Sequence, residues 1–201
     1  MRKAILHLRK SDPVMAGLIQ RIGPYRMQYR EPQFETLVRS IVYQQLHGKA
    51  AATIFDRLVR LVPKRTLTPN AVLHLTPEQL RAVGLSGQKA SYIRDLAERT
   101  QARQVDFSTL TDLPDAEVIT HLTQVKGVGV WTAHMFLMFA LRRSDVLPCA
   151  DLGVRSAIKK AYQLEELPNA KKIEDLALAW RPYCSVASWY LWRSLDAPAE
   201  L

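Results

Sequence analysis

Two features of this chain could do chemistry together: a glycine hairpin and an acidic residue that follows it. The hairpin is the run VKGVGV at residues 125–130, and the acidic residue is Asp151. Gly127 and Gly129 permit a tight turn in which the backbone can approach a phosphate closely. The helix expected after them presents unpaired N–H groups and the positive end of its dipole, which attract anions. The spacing indicates a phosphate clamp with a possible catalyst behind it, although an ordinary turn between two helices would look the same.

The composition favours a polyanionic partner. The chain has 28 Lys and Arg against 19 Asp and Glu, which gives a net charge of +9. Its two cysteines, Cys149 and Cys184, match no metal-ligand spacing and are interpreted as ordinary thiols. The N-terminus has no signal-peptide core, and no window approaches the roughly 18 apolar residues of a membrane span. We therefore expect a cytoplasmic protein without membrane contact.

Hydrophobic spacing predicts an all-α fold. Apolar residues follow one helix face from Pro32 on, and a second such face runs from about Lys49 to Val62. The residues expected to be buried on these two faces are Phe34, Leu37, Val38, Ile41, Val42, Ala51, Ile54, Phe55, Leu58 and Leu61. Residues 130–141 are apolar on all sides, which is typical of a buried central helix. Later helices are expected from near Asp151, over 173–180 and over 182–195, and no segment alternates like a strand.

Five motifs, in order, resemble those of the helix-hairpin-helix (HhH-GPD) DNA glycosylase superfamily. The run LTQVKGVGVWTA at 122–133 is similar to its hairpin, and VLPCADLGVR at 146–155 is similar to its Gly/Pro-rich loop with an aspartate. The run IVYQQLHGKAA at 41–51 resembles the family's DNA-inserting turn. GLSGQKA at 84–90 and WRPYCSVASWYLW at 180–192 resemble a further turn and the final helix. The most similar branch is that of the alkylated-base glycosylases (DNA-3-methyladenine glycosylase II), in a compact form without the N-terminal β domain.

The resemblance implies one glycosylase unit over residues 1–201, built from two helical subdomains with the active-site cleft between them. Residues 32–143 would form the subdomain with the hairpin, and residues 1–31 plus 144–201 the second. Relatives with an iron–sulfur cluster carry four cysteines near the C-terminus, whereas this chain has only Cys184 there, so no cluster is expected.

The function implied is that of a monofunctional DNA glycosylase. It would flip alkylated bases of the 3-methyladenine or 7-methylguanine type out of double-stranded DNA and hydrolyse the N-glycosidic bond, leaving an abasic site. Asp151 would stabilise positive charge on the deoxyribose and orient the water, although it could equally be the N-cap of its helix. Trp131 stands where bifunctional relatives carry a strand-cutting lysine, so no lyase activity is expected. A same-fold glycosylase for deaminated or mismatched bases and a non-catalytic DNA-damage-binding module remain alternatives.

The resemblance also implies roles for other residues. The base pocket would be lined by Trp131, Trp192, Met135, Leu152 and Tyr43. The DNA wedge and minor-groove contacts would come from Gln45, Leu46 and His47. Hairpin contacts to phosphate would come from Lys126, Gly127, Val128 and Gly129, and further backbone contacts from Lys49, Lys89 and Arg155. The carbonyls of Thr123, Val125 and Val128 would hold a structural Na⁺ or K⁺.

Several of these residues also fit a purely structural role. From the residue types alone, Trp131, Trp192 and Leu46 could equally belong to the core. No cofactor is expected to be required. The protein is expected to be a monomer that is nucleoid-associated if it comes from a bacterium.

Overall fold

The structure, a computed structural model, describes residues 1–196, and within them it contains helices and no strands. The prediction of an all-α fold is confirmed. The α-helices are α1 (Arg2–Ser11), α2 (Pro13–Ile22), α3 (Phe34–Tyr43), α4 (Gly48–Leu61), α5 (Pro69–Leu73), α6 (Pro77–Ala82), α7 (Gly87–Gln101), α8 (Asp115–Thr123), α9 (Val130–Phe139), α10 (Leu152–Ala161), α11 (Ala170–Ala177) and α12 (Cys184–Asp196). A short 3₁₀ turn, Pro63–Arg65, follows α4. None of the helices in the described range is long and apolar enough to cross a membrane.

The chain folds as two compact units. The central unit consists of residues 30–141 and contains α3 to α9. The terminal unit consists of residues 1–29 together with the chain from residue 142 on, and it contains α1, α2 and α10 to α12. The last five residues of the range 144–201, predicted for the second subdomain, lie outside the described residues.

The core of the central unit contains the predicted apolar face of α3. All five of its apolar residues are buried, because α3 packs against α4, α7 and α9. On α4 only Ala51 and Leu58 are buried, and Leu61 is 41% exposed. The prediction that Leu61 is buried is wrong, because α4 packs mainly on α3 and on the 3₁₀ turn and therefore buries only a narrow stripe.

The apolar helix α9 is buried over most of its length but not at its start. Phe136, Leu137 and Met138 are almost fully buried, as predicted for a central helix. Val130 is 52% exposed and Trp131 is 45% exposed, so the prediction is wrong for the first turn. This turn directly follows Gly129, which is also exposed, so the helix begins at the surface of the unit.

In the terminal unit, α12 contributes more buried residues than any other helix and packs on α10 and α2. A buried carboxylate, Asp12, joins three segments. It caps α2 by accepting the N–H of Val14 at 2.8 Å, and it also accepts the indole N–H of Trp180 at 2.8 Å and the hydroxyl of Tyr162. Because Tyr162 directly follows α10, this network holds the C-terminal end of that helix in place. Asp151 lies at the opposite end, directly before α10.

Candidate catalytic carboxylate and DNA-binding elements

Asp151 is the N-cap of α10. Its Oδ1 atom accepts the N–H of Val154 at 2.7 Å and the indole N–H of Trp192 at 2.8 Å. Its own N–H donates to the carbonyl of Pro148 at 2.9 Å, so the preceding loop is held as well. The residue is buried, with 9% of its surface exposed. The N-cap role is therefore real, and the catalytic role stays a prediction that this fixed carboxylate is suited to perform.

Gly153 leaves the space in which Trp192 reaches Asp151. A Cβ atom at this position would lie 3.0 Å from Asp151 Oδ1 and 3.0 Å from Cδ1 of the Trp192 indole. Sequence reasoning missed this residue. The signal was present, because glycine is a poor helix former and this one stands in the first turn of a predicted helix.

The two hairpin glycines answer different requirements. Gly127 has a φ of +74°, and a Cβ atom there would lie 2.0 Å from the ring of Tyr92 on α7. It is therefore needed for the backbone turn and for packing on α7. Gly129 has an ordinary φ of −94° and no atom within 4 Å of the position its Cβ would take. Its open side leaves room for a ligand to approach the backbone where α9 begins.

Asp95 anchors the hairpin to α7. Its Oδ2 atom accepts the backbone N–H of Lys126 at 2.9 Å and the Nε–H of Arg99 at 2.9 Å. Burial raises the pKa of Asp95, but these hydrogen bonds and charges outweigh it and leave the pKa below the ordinary value. The ammonium of Lys126 lies 3.7 Å from Asp95 Oδ1, on a side chain that is 65% exposed. Sequence reasoning missed Asp95, because its partner Lys126 lies 31 residues further along the chain.

The residues between α3 and α4 form the wedge turn, defined as residues 44–47. Gln45 has a φ of +54°, and Leu46 is 39% exposed, so the predicted wedge side chain does leave the core. His47 is also exposed. The side-chain amide of Gln44 donates to the carbonyl of Gly127 at 2.8 Å, which ties the wedge turn to the hairpin.

Lys89 supports the same turn from α7. Its ammonium donates to the carbonyls of Val42 at 2.7 Å and Gln44 at 2.6 Å, and burial lowers its pKa. Lys89 thus has a structural role in holding this turn. Its contact with DNA stays a prediction. Arg155 likewise donates from Nε to the carbonyl of Pro168 at 3.0 Å. Lys49, by contrast, is exposed on the first turn of α4.

A cavity of about 800 Å³ lies within the central unit. It brings together three of the residues predicted for the base pocket, Tyr43, Trp131 and Met135. Phe136 and Phe139 add to its apolar wall. The other two predicted pocket residues belong to the terminal unit, where Trp192 is half-buried against Asp151 and Leu152 is 64% exposed.

The predicted cation site consists of main-chain oxygens. The carbonyl of Val125 accepts the N–H of Val128 at 3.0 Å, and a carbonyl oxygen keeps a second lone pair for another partner. The hydroxyl of Thr123 donates to the carbonyl of Ile119 at 2.8 Å. Carbonyl oxygens suit a hard monovalent cation. The cation site itself stays a prediction. No cluster of His, Cys, Asp or Glu within residues 1–196 could hold a metal ion.

Comparison with known proteins places this chain among DNA repair proteins. Residues 38–182 match the model of the "HhH-GPD superfamily base excision DNA repair protein". DNA-3-methyladenine glycosylase 1 of Schizosaccharomyces pombe is 33% identical over 200 residues, which cover 96% of this chain and 87% of that protein.

Two solved structures are similar over nearly the whole chain. One is the S. pombe 3-methyladenine DNA glycosylase Mag1 in complex with abasic DNA. It has a TM-score of 0.88 and 32% identity, and the match covers 99% of both chains. The other is the DNA-3-methyladenine glycosidase of Bacillus halodurans, with a TM-score of 0.85 and 36% identity over 95% of this chain and 88% of that chain.

Proposed function

Because the chain belongs to the HhH-GPD superfamily of base excision DNA repair proteins, we propose that it is a monofunctional DNA glycosylase. It excises alkylated bases of the 3-methyladenine and 7-methylguanine type from double-stranded DNA and leaves an abasic site. The observation that carries this proposal is the carboxylate of Asp151, which is held by the N–H groups of Val154 and Trp192 at the start of α10. The DNA-3-methyladenine glycosylase of S. pombe and the DNA-3-methyladenine glycosidase of B. halodurans, which this chain matches over nearly its whole length, support the substrate class.

The chemistry proposed for Asp151 is electrostatic. As the N-glycosidic bond breaks, its electrons leave with the base and positive charge builds on the deoxyribose. A carboxylate with a fixed orientation stabilises that charge and can orient the attacking water without having to reorganise. An N3- or N7-alkylated purine is already cationic and leaves as a neutral base, so a single acidic residue is sufficient.

Trp131 indicates that the reaction ends at the abasic site, without cleavage of the DNA strand. A glycosylase that also cuts the strand uses an amine nucleophile, which forms a Schiff base with the sugar. An indole cannot form that bond. Trp131 is instead available as an aromatic wall of the cavity, because it is 45% exposed and lines the cavity with Met135.

The grip on DNA is assigned to the hairpin and the wedge turn. Leu46 fills the space left by the flipped nucleotide, and His47 and Gln45 follow it into the minor groove. The hairpin from Lys126 to Gly129 holds a phosphate, together with a monovalent cation on its carbonyls. The net charge of +9 strengthens binding to a polyanion. We propose that the protein acts as a monomer in the cytoplasm, and on the nucleoid if it comes from a bacterium.

The test is the release of 3-methyladenine and 7-methylguanine from methylated DNA by the wild type and by Asp151→Asn. We expect release by the wild type and a loss of at least about a hundredfold in the variant. The variant should still bind DNA that contains an abasic-site analogue, since the hairpin and the wedge turn are unchanged. A wild type that binds the analogue but releases no base would identify a binding module instead.

A further inference from the structure

We propose that Arg39 makes the cavity sensitive to charge, so that it weakens the preference for cationic N-alkylpurines over neutral base adducts. The inference rests on the proposed function, because it assigns the cavity of the central unit to the flipped base. It adds how the cavity treats neutral adducts, whereas the relatives' names mention only 3-methyladenine. The neutral class consists of adducts that keep a neutral ring with hydrogen-bond acceptors, such as 1,N6-ethenoadenine.

The first step is the charge of the cavity wall. Among the described residues that line it, the ionised side chains are Arg30, Arg39 and Lys89, and none is Asp or Glu. The ammonium of Lys89 is bound by two main-chain carbonyls at the end of α3, which takes up much of its field. The guanidinium groups are the cations that a guest would meet.

The second step is where the Arg39 guanidinium lies. Its carbon Cζ is 4.1 Å from the centre of the Tyr43 ring and 5.0 Å from the centre of the Phe55 ring, and it donates a hydrogen bond to the Tyr43 hydroxyl. Arg39 and Tyr43 are four residues apart on α3, so the helix itself keeps them together. The Tyr43 ring, which lines the cavity, is therefore already engaged by a cation.

The surroundings of Arg39 also disfavour positive charge, as the direction of its pKa shift indicates. Burial lowers its pKa, and the positive charge of Arg30 lowers it further. The phenol of Tyr43 and the carboxylate of Glu35 act in the opposite direction. The guanidinium stays protonated, as arginine does in proteins, so it is a permanent charge at the cavity wall.

The third step is what this arrangement does to a guest. An aromatic ring attracts a cation through its quadrupole, and this attraction is a natural source of affinity for a cationic base. At Tyr43 one face of the ring is already occupied by Arg39, and the guanidinium adds direct repulsion. A neutral adduct meets no repulsion, and its ring nitrogens can accept hydrogen bonds from the guanidinium. Arg39 therefore lowers the preference for cationic lesions that Trp131 and Tyr43 would otherwise produce.

The experiment measures single-turnover excision of 7-methylguanine and of 1,N6-ethenoadenine from matched duplexes. The readout is the ratio of the two rates within one protein preparation, so partial loss of folded protein cancels. Arg39→Met removes the charge and keeps an unbranched apolar stem on the rings. Arg39→Lys keeps the charge. Arg57→Met removes an exposed arginine of α4 that does not line the cavity and serves as the matched control.

We expect Arg39→Met to raise the ratio of cationic to neutral excision by about fivefold, the size of one cation–π contact. Arg39→Lys should stay within about twofold of the wild type because the charge remains. Arg57→Met should leave the ratio unchanged. A ratio in Arg39→Met equal to that of the wild type would overturn the role of Arg39 while leaving the glycosylase function intact. Failure of the wild type to excise either base would overturn the proposed function and the inference together.

Discussion

The indole N–H of Trp192 donates a hydrogen bond of 2.8 Å to Oδ1 of Asp151. The same oxygen accepts the N–H of Val154, so two donors from different helices fix one carboxylate. The base-pocket role of Trp192 stays a prediction, and in the structure its indole also contacts the candidate catalyst. A residue that fixes the orientation of the reacting group acts on the chemical step rather than on substrate affinity.

Replacing Trp192 with Phe should therefore slow excision without weakening DNA binding. The variant keeps an aromatic side chain but loses the N–H donor together with part of the ring. A hydrogen bond to a charged group contributes about 1.5–3 kcal/mol, so the single-turnover rate should fall by roughly tenfold or more. The affinity for DNA with an abasic-site analogue should change little. Trp189→Phe is the matched control, since Trp189 lies in the same helix as Trp192 but packs on Tyr25 and Tyr190. If the affinity falls and the rate does not, Trp192 serves the base and not Asp151.

Gly153→Ala should disturb the same contact from the other side. The new methyl group would lie 3.0 Å from both Asp151 Oδ1 and the Trp192 ring, so one of them must move. We expect a loss of about 1–3 kcal/mol in unfolding free energy from overpacking, together with a slower rate. Gly17→Ala is the control, because Gly17 lies within α2 with open space at its Cβ position. It should stabilise the fold by about 0.5–1 kcal/mol. Chemical denaturation and single-turnover rates measure both effects, and an unchanged Gly153→Ala protein would show that the two side chains have room to adjust.

Hydrophobic periodicity predicted side-chain burial well where a helix is covered by several neighbouring helices. It predicted burial poorly at the ends of helices. The face of α3 is buried as expected because three helices surround it. Leu61 and Trp131 have the same apolar character but lie at helix ends, where the sequence does not say which neighbours are present. Burial depends on those neighbours, and they belong to the tertiary structure.

The motifs located Asp151, the hairpin and the wedge turn, but not the residues that support them. Asp95, Gln44 and Tyr92 act through contacts with residues far along the chain, so no local pattern marks them. Lys89 shows the reverse problem. A lysine in a basic protein suggests a phosphate contact, and only the structure reveals the two carbonyls that its ammonium binds.

The two hairpin glycines should respond differently to alanine. Gly127→Ala would place a side chain at a φ of +74° and inside the Tyr92 ring, so it should cost more than about 1–2 kcal/mol in unfolding free energy. Gly129→Ala has open space and should leave the thermal stability nearly unchanged. If Gly129 is where a phosphate approaches, its variant should nevertheless bind abasic-analogue DNA more weakly. Normal binding by Gly129→Ala would place the phosphate contact elsewhere.

The salt dependence of DNA binding should separate Lys89 from Lys49. A lysine that contacts a phosphate releases counterions, so its removal lowers the slope of log affinity against log salt by about one. We expect this of Lys49→Met, because Lys49 is exposed beside the wedge turn. Lys89→Met should leave the slope unchanged and instead lower the unfolding free energy, because two carbonyls lose their donor. A reduced slope in Lys89→Met would show that Lys89 does contact DNA.

Asp95 should make stability depend on pH through the hairpin anchor. Its pKa in the folded protein lies below the ordinary value of 3.8, because the bonds from Lys126 and Arg99 outweigh its burial. A lowered folded pKa means that the contribution is complete at neutral pH and is lost as the pH falls below 3.8 and through the folded value. Asp95→Asn should be less stable than the wild type by about 1–3 kcal/mol at pH 7.

That difference should shrink as acid protonates Asp95 in the wild type. Urea unfolding from pH 7 down to the lowest pH at which both proteins stay folded measures the difference. Asp56→Asn is the control, since Asp56 pairs with Arg60 on exposed side chains, where a salt bridge contributes little. If the difference for Asp95→Asn stays constant with pH, the carboxylate charge does not hold the hairpin. In that case the neutral hydrogen bond from the Lys126 N–H would be sufficient to hold it.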